Sequence, residues 1–139
     1  MPGGANPLYV LDTSALLCLI EAEEGMADVE KIIRHHGPGG RVSVSFISMM
    51  EFFYINHIER GESVARQRFT LLKELPLVVV ESDEELCLIA GHIKASHRLS
   101  VADAWVAATA HRLGAILVHK DPEFEPLAGD LLLHPLPYK

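Results

Sequence analysis

The segment Leu8-Tyr9-Val10-Leu11-Asp12-Thr13-Ser14-Ala15-Leu16 decides the fold, because an apolar run stops at an acid and a helical pattern begins directly after it. The apolar run predicts a buried strand, and the residues that follow Asp12 predict the helix of a strand-helix unit. An aspartate at this junction either caps the helix or lies at the edge of the sheet where open parallel sheets collect their ligands. Asp12 alone leaves both interpretations open.

The same alternation of short apolar runs and helical patterns continues along the chain, which is typical of a parallel sheet covered by helices. The predicted strands are Leu8 to Leu11, Arg41 to Val44, Leu77 to Val80, Ala115 to His119 and, as the weakest pattern, Leu131 to His134. The predicted helices are Thr13 to about His36 with a break near Gly25, Phe46 to about Arg60, Ser63 to about Glu74, a helix opened by a Ser82/Glu85 capping box that runs to about His97, and Ser100 to a cap at Gly114. We therefore expect an α/β fold with a central parallel sheet of four to five strands flanked by helices.

The size and composition of the chain fit one globular domain. Its 139 residues are 49% hydrophobic and 22% charged, and no apolar run is long enough for a membrane span. We expect a flexible N-terminal tail over residues 1–7, which lacks the basic region of a secretory signal, and one domain over residues 8–139. The formal charge of -7 argues against a basic surface that coats nucleic acid, but not against an acidic pocket whose bound cations neutralise it.

Cysteine usage gives a hint about the cellular compartment. Cys18 and Cys87 are isolated in apolar surroundings and show no spacing typical of metal ligands. We therefore expect both to have packing roles in a reducing compartment, and the cytoplasm is the expected location.

Glu51 is an acid on a predicted helix whose same face carries apolar side chains. Ile47 and Ile55 lie one turn away on either side, and burying an unpaired carboxylate among them would be costly. Ser48 and Glu51 alternatively form a capping box, which would give the acid a purely local role. We favour Ser45 as the cap, because it directly follows the predicted strand, and this places Glu51 nearly two turns into the helix as a candidate functional residue.

Asp103 and Asp121 each allow a local and a functional interpretation. Ser100 and Asp103 form a capping box, yet an acid in the first helical turn remains free to bind a cation if it looks into a pocket. The alanine-rich continuation of that helix would allow a close approach to the sheet, drawing Asp103 towards the strand ends. Asp121 follows an apolar run and precedes Pro122, which is also an ordinary turn or helix start.

Four segments of the chain resemble the PIN-domain nucleases, and most closely the small VapC-type toxins of prokaryotic toxin-antitoxin pairs. The segments are Leu11 to Leu16 (LDTSAL), Ser45 to Phe52 (SFISMMEF), Ser100 to Ala110 (SVADAWVAATA) and Leu117 to Phe124 (LVHKDPEF). The resemblance spans nearly the whole chain, and the third segment is the most specific. His119 departs from the pattern, because many members carry Thr or Ser two positions before the aspartate of the last segment.

The resemblance implies a metal-dependent ribonuclease with one acidic metal ligand in each segment. These acids are Asp12, Glu51, Asp103 and Asp121. Thr13 and Ser14 are the implied hydroxyls that support them, and Thr13 is favoured because it is adjacent to Asp12; alternatively, both are local helix caps. Glu51 is expected either to bind a second ion or to orient the attacking water. A cognate antitoxin and a homodimer are also implied.

The physical chemistry of a carboxylate cluster is consistent with that expectation. Carboxylates that are brought together repel one another, so a cation or a proton must relieve the conflict. Oxygen ligands suit Mg²⁺ or Mn²⁺, and one or two ions are expected. The expected reaction is hydrolysis of an RNA phosphodiester by an activated water.

Other classes of function fit the residues less well. A catalytically inactive PIN-like module that binds RNA or has a regulatory role is the main alternative, and retention of four acids argues against it. A phospho-accepting receiver domain would need paired acids after its first strand, and the histidines show no zinc-ligand spacing. Lys94, Arg98 and Lys120 are conceivable phosphate contacts, but exposed basic residues are common and they are not included in the predicted site.

Overall fold

Five parallel strands form the sheet that organises the chain, which the computed structural model describes over residues 6–139. The strands are β1 (Tyr9–Leu11), β2 (Val42–Ser45), β3 (Val78–Val80), β4 (Ile116–His119) and β5 (Leu132–Pro135). Their order across the sheet is β3-β2-β1-β4-β5. The first strand therefore lies at the centre, and its carboxyl end is adjacent to those of β2 and β4.

Six α-helices and a short 3-10 helix connect these strands within the described residues. The helices are α1 (Thr13–Ile20), α2 (Met26–His36), α3 (Phe46–Arg60), α4 (Glu62–Glu74), α5 (Glu84–Ser96) and α6 (Val101–Leu113), and the 3-10 helix spans Pro122–Leu127. The predicted α/β class and the parallel sheet of up to five strands are confirmed. The predicted break in the first helix is also confirmed, because Gly25 adopts a φ of 104°, which favours glycine, and α2 begins after it.

The two faces of the sheet contribute to two different parts of the core. Successive strand residues point to opposite faces, so Leu11 packs with Leu16 and Phe52, whereas Val10 packs on the other side of the sheet. Val10 lies in a cluster with Leu117 and with α6 residues such as Ala107. Coverage of both faces explains why the central strands are continuous apolar runs rather than alternating patterns.

The alanine-rich helix α6 lies close to the sheet, as its composition predicts. Ala104, Ala107 and Ala108 are buried, and α6 contacts β1, β2 and β4. Trp105 fills a wider gap and packs edge-on against Phe46, with ring centroids 5.0 Å apart. This packing places the first turn of α6 near the carboxyl ends of the strands.

Several local predictions are wrong. Asp83, not Ser82, caps α5, because its side chain accepts the Leu86 N–H at 2.8 Å. The helix predicted from Ser63 begins one residue earlier. Cys87 is exposed and has no packing role in the described chain, whereas Cys18 is buried as predicted.

The remaining chain-level predictions concern the N-terminus and the membrane. The predicted tail, residues 1–7, falls largely on residues 1–5, which lie outside the described part of the chain. The carbonyl groups of Asn6 and Pro7 accept hydrogen bonds from the Arg41 guanidinium. Over residues 6–139, every helix is too short or too polar to cross a bilayer.

Candidate functional site

Asp12 lies at the carboxyl end of β1 and caps α1, so its two possible roles coexist. One carboxylate oxygen, Oδ2, accepts hydrogen bonds from the Ser14 N–H at 3.1 Å and from the Ser14 hydroxyl at 2.6 Å. The other, Oδ1, has no hydrogen-bond partner among residues 6–139, although Asp12 is only 3% exposed. Burial raises the pKa of Asp12 to about 6, against the hydrogen bonds from Ser14, and the charge of Glu51 raises it further. A buried acceptor without a donor is costly, so this oxygen is suited to receive a cation.

Glu51 reaches the same region from α3. The Ser45 side chain accepts the Ile47 N–H and caps this helix, as predicted, so Glu51 lies in the second turn rather than at the helix start. Its carboxylate accepts a hydrogen bond from the Thr13 hydroxyl at 2.6 Å. Thr13 is buried at the start of α1, next to Asp12. The Thr13 hydroxyl therefore fixes the Glu51 carboxylate beside the end of β1.

Asp103 is the most strongly perturbed acid of this region. It lies in the first turn of α6, where the Ser100 hydroxyl accepts its N–H at 3.0 Å, and it is 8% exposed. Its pKa is raised to about 8, first by burial and then by the negative charge of Asp12. A hydrogen bond with Glu123 and the charges of Asp121 and Glu51 raise the pKa further. The four acids predicted from sequence are therefore close enough to act on one another electrostatically.

Asp121 completes the group at the end of β4. Its side chain accepts the Glu123 N–H at 2.9 Å and caps the 3-10 helix. Carboxylate oxygens of Asp103, Asp121 and Glu123 all lie within 4.8 Å of one another. Sequence reasoning missed Glu123, treating it as part of a turn. Its signal was an acid two residues after Asp121, in the first turn of a short helix.

Ser14 connects the ends of the two central strands. Its hydroxyl donates to Asp12 and accepts the backbone N–H of Lys120, which follows β4, at 2.9 Å. The Lys120 ammonium points away from the acids, donating to the Glu24 carbonyl at 2.8 Å and pairing with Glu23 at 3.4 Å. Because the Lys120 side chain is only 5% exposed, it is not available as the phosphate contact that we considered from the sequence.

His119 is buried next to Asp121. Its Nδ1 accepts the Asp121 N–H at 3.2 Å, and its ring packs against Phe124 with centroids 5.2 Å apart. Burial lowers the pKa of the His119 ring, which favours its neutral form. A nitrogen replaces the hydroxyl that the sequence comparison expected at this position, and it also serves as a hydrogen-bond acceptor.

The charge balance of the pocket fits a divalent cation. Over residues 6–139, no Lys, Arg or His side chain forms an ion pair with the four predicted acids or with Glu123. The atoms available as metal ligands are carboxylate and hydroxyl oxygens, which magnesium and manganese prefer. The unpartnered Oδ1 of Asp12 is an independent sign that the donor set is incomplete without a positive group.

The family of the chain follows from a sequence model that spans most of it. The PIN domain model matches residues 9–130, a range that includes all four predicted acids. The chain belongs to the PIN-domain family. No curated protein matches it by sequence.

Solved structures with the same fold come from toxin-antitoxin systems. VapBC2 from Rickettsia felis, bound to a DNA fragment from its promoter, matches with a TM-score of 0.75 and 14% identity, over 94% of this chain and 99% of that one. VapBC-1 from nontypeable Haemophilus influenzae matches with a TM-score of 0.72 and 22% identity, over 92% of this chain and 97% of that one. VapC20 from Mycobacterium tuberculosis is described as a toxin that cleaves the sarcin-ricin loop. It matches with a TM-score of 0.71 and 17% identity, over 91% of this chain and 99% of that one. Because these identities are low, the matches establish a shared fold.

Proposed function

We propose that this PIN-domain protein is a divalent-metal-dependent endoribonuclease and the toxin of a VapBC-type pair. One observation carries the proposal: four acids from distant parts of the chain act on one another, and no Lys, Arg or His side chain of residues 6–139 forms an ion pair with them. Asp12, Glu51, Asp103 and Asp121 are the proposed metal ligands. The toxin assignment is supported by the structural similarity to VapC20 and to the VapBC complexes.

The residues of the pocket divide the proposed work between binding and orientation. Asp12 and Asp103 would hold Mg²⁺ or Mn²⁺, since both are buried and a buried carboxylate without a positive partner is costly. Asp121 would bind at the end of β4. A divalent cation in such a site stabilises negative charge on a phosphate and activates water for its hydrolysis.

The two hydroxyl residues would keep the acids in place. Ser14 occupies Oδ2 of Asp12 and leaves Oδ1 free to bind. Thr13 donates to one oxygen of Glu51, so the other oxygen remains available to bind a second ion or to orient the attacking water. Orientation of the donors before substrate arrives lowers the cost of reaching the transition state.

The proposed partner is an antitoxin that binds the protein and blocks the acidic site. The proposed assembly is a homodimer. Met50, Tyr54 and Ile58 are exposed apolar residues spaced one helical turn apart on α3, which supports a protein partner at this surface. Ile58 is the most exposed of the three side chains, at 76%. The cytoplasm remains the proposed location.

RNA cleavage with and without metal tests the proposal. We expect the purified protein to cleave single-stranded RNA with Mg²⁺ or Mn²⁺, and EDTA to stop it. Asp12→Asn and Asp103→Asn should each lower the rate by at least about 100-fold, because each removes a charge that the cation requires. Glu21→Gln, an acid outside the pocket, is the matched control and should cleave at the wild-type rate.

The outcomes separate the proposal from its main rival. Binding of RNA without cleavage, in wild-type protein supplied with either metal, would support the catalytically inactive RNA-binding module instead. Cleavage that survives both EDTA and Asp103→Asn would assign the activity to another mechanism or to a contaminant.

A further inference from the structure

A cavity of about 310 Å³ lies beside the acidic pocket, between α1 and the start of the 3-10 helix. Its lining residues include Ser14, Glu23, Lys120, Pro122, Tyr138 and Lys139. Two of them adjoin the acids, since the Ser14 hydroxyl donates to Asp12 at 2.6 Å and Pro122 directly follows Asp121 in the chain. Clefts of about 300 Å³ or more are large enough for a small ligand. A ligand in this cavity would therefore lie next to the group on which the acids are proposed to act.

Tyr138 forms one wall of the cavity, and two contacts fix its ring. Its hydroxyl donates to the Glu125 carboxylate at 2.9 Å, and its ring packs against the buried His119 ring with centroids 6.1 Å apart. Tyr138 is nevertheless 39% exposed. An aromatic ring that is already oriented and still accessible is suited to stack on a nucleobase, because little side-chain entropy is then lost on binding.

Two ammonium groups give the cavity a positive balance. Lys120 and Lys139 both pair with Glu23, which is the only acid among the lining residues of the described chain. The Lys120 side chain is buried, whereas the Lys139 side chain is 75% exposed and can donate to a further anion. In a chain with a formal charge of -7, an accessible ammonium beside the acids is where an RNA phosphate would be attracted.

We infer that this cavity binds the nucleotide next to the scissile phosphate, with its base stacked on Tyr138 and its own phosphate against Lys139. The ligand is a nucleotide of single-stranded RNA, since bases within a duplex are not free to stack on a side chain. The inference rests on the proposed function, because it takes RNA to be the substrate. It adds a binding site formed by residues outside the acidic pocket.

The competing explanation is that Tyr138 only packs over His119. Tyr138→Ala removes the ring, whereas Tyr138→Phe keeps the ring and loses the hydrogen bond to Glu125. Tyr54→Ala is the matched control, because Tyr54 on α3 has a similar exposure of 42%. Thermal unfolding would show that each variant is folded. If Tyr138→Ala does not fold, Tyr138→Leu takes its place, because leucine fills the space without an aromatic face.

RNA that lacks a single base tests the stacking contact. We would take a single-stranded RNA of about ten nucleotides that wild type cleaves at one bond, and place an abasic nucleotide at each position in turn. In wild type, we expect base removal at one position beside the cut to lower kcat/KM by about tenfold, mainly through KM. Tyr138→Ala should show the same loss with intact RNA and no further loss at that position. Tyr138→Phe and Tyr54→Ala should keep the wild-type pattern.

The salt dependence of RNA binding tests the role of Lys139. We would measure the affinity of the same RNA, labelled with fluorescein, by fluorescence anisotropy in EDTA at several salt concentrations. We expect Lys139→Gln to reduce the slope of log affinity against log salt concentration by about 0.7, because one phosphate contact is lost. Lys31→Gln, which replaces an exposed lysine on α2, is the control and should keep the wild-type slope.

The outcomes distinguish this inference from the function on which it rests. If Tyr138→Ala cleaves intact RNA as wild type does, or loses as much as wild type does on base removal, the inference is overturned and the proposed nuclease stands on its four acids. An unchanged salt slope in Lys139→Gln would overturn the assignment of the phosphate. If wild type cleaves no RNA, the proposed function fails. Weaker RNA binding by Tyr138→Ala, but not by Tyr54→Ala, would then still support a nucleotide site in this cavity, and equal binding would overturn it.

Discussion

The two ends of α1 carry acids in opposite electrostatic surroundings. At its start, Asp12 is buried and pairs with no basic side chain of residues 6–139, and burial raises its pKa to about 6. Just past its end, Glu21 accepts hydrogen bonds from Arg60 at 2.7 Å and Arg68 at 2.8 Å, which lower its pKa. Among the described residues, the acid before α1 therefore has no basic partner, whereas the acid after α1 has two arginine partners.

Glu23 extends the neutralised end. Although burial opposes the change, hydrogen bonds from Lys139 and Lys120 lower the pKa of Glu23. Lys120 precedes Asp121 directly in the chain, yet it pairs with Glu23. The side chains of Arg60, Arg68, Lys120 and Lys139 therefore pair with acids outside the proposed site. The difference separates structural acids from the acids of the proposed site without reference to any relative.

The pH dependence of stability provides the largest test of this comparison. Without metal, Asp103 keeps its proton to about pH 8 when folded but loses it near pH 4 when unfolded. The folded state therefore binds more protons in this range, and stability falls as the pH rises. Between about pH 6.5 and 8.5 we expect a loss of about 2 kcal/mol in the free energy of unfolding, measured in urea with EDTA.

The control for the pH experiment is Asp103→Asn, which should flatten this slope. The range avoids the opposite effect of His119, whose lowered pKa makes stability rise with pH only below its unfolded value of 6.5. The stabilising contribution of the paired Glu21 is lost only as the pH falls below its unfolded pKa of 4.5, again outside the range. A flat profile in wild type would show that the pocket acids are not perturbed.

Substitution at the two ends of α1 should change stability in opposite directions. At pH 7.5 without metal, Asp12→Asn should raise the free energy of unfolding by about 1–2 kcal/mol, because it removes a buried charge while asparagine caps helices equally well. Glu21→Gln should lower it by about 1 kcal/mol or less, since its ion pairs are partly exposed to solvent. Urea unfolding measures both. Destabilisation by both variants would show that the bare acid is also structural.

Replacement of His119 is expected to have the smallest effect. His119→Asn keeps an acceptor near the position of Nδ1 for the Asp121 N–H, whereas His119→Leu removes it at similar volume. A lost hydrogen bond of this kind is worth about 1 kcal/mol, so we expect His119→Leu to slow RNA cleavage by about fivefold relative to His119→Asn. Equal rates would indicate that the ring acts only through packing.

The sequence predicts the α/β fold and the four acids of the proposed site, because each acid follows from a local pattern. Asp12 and Asp121 are predictable because each follows an apolar run, and parallel strands bring their carboxyl ends to one edge. Glu51 is predictable because Ser45, adjacent to β2, is a better cap than Ser48, and the structure confirms this cap. Asp103 is predictable because an alanine-rich helix can lie close to the sheet.

The features that the sequence does not predict depend on contacts between distant elements. Glu123 is 20 residues from Asp103 in the sequence, yet their carboxylate oxygens lie within 4.8 Å of each other. His119 is buried because Phe124 and Tyr138 pack around it, and neither contact leaves a pattern in the sequence. Lys120 is a basic residue beside an acid in the sequence, but its ammonium is captured by Glu23. For Glu123, His119 and Lys120, the contacts depend on the direction in which the side chain points, which the residue type does not specify.

The central position of β1 has a consequence for protein synthesis. Its neighbour β4 is synthesised about a hundred residues later, so the strand ends next to Asp12 and Asp121 can meet only after the intervening chain has left the ribosome. Before that point, a nascent chain contains Asp12 and Glu51 without Asp121. The proposed ribonuclease would therefore have no complete set of acids while its first two-thirds are being made.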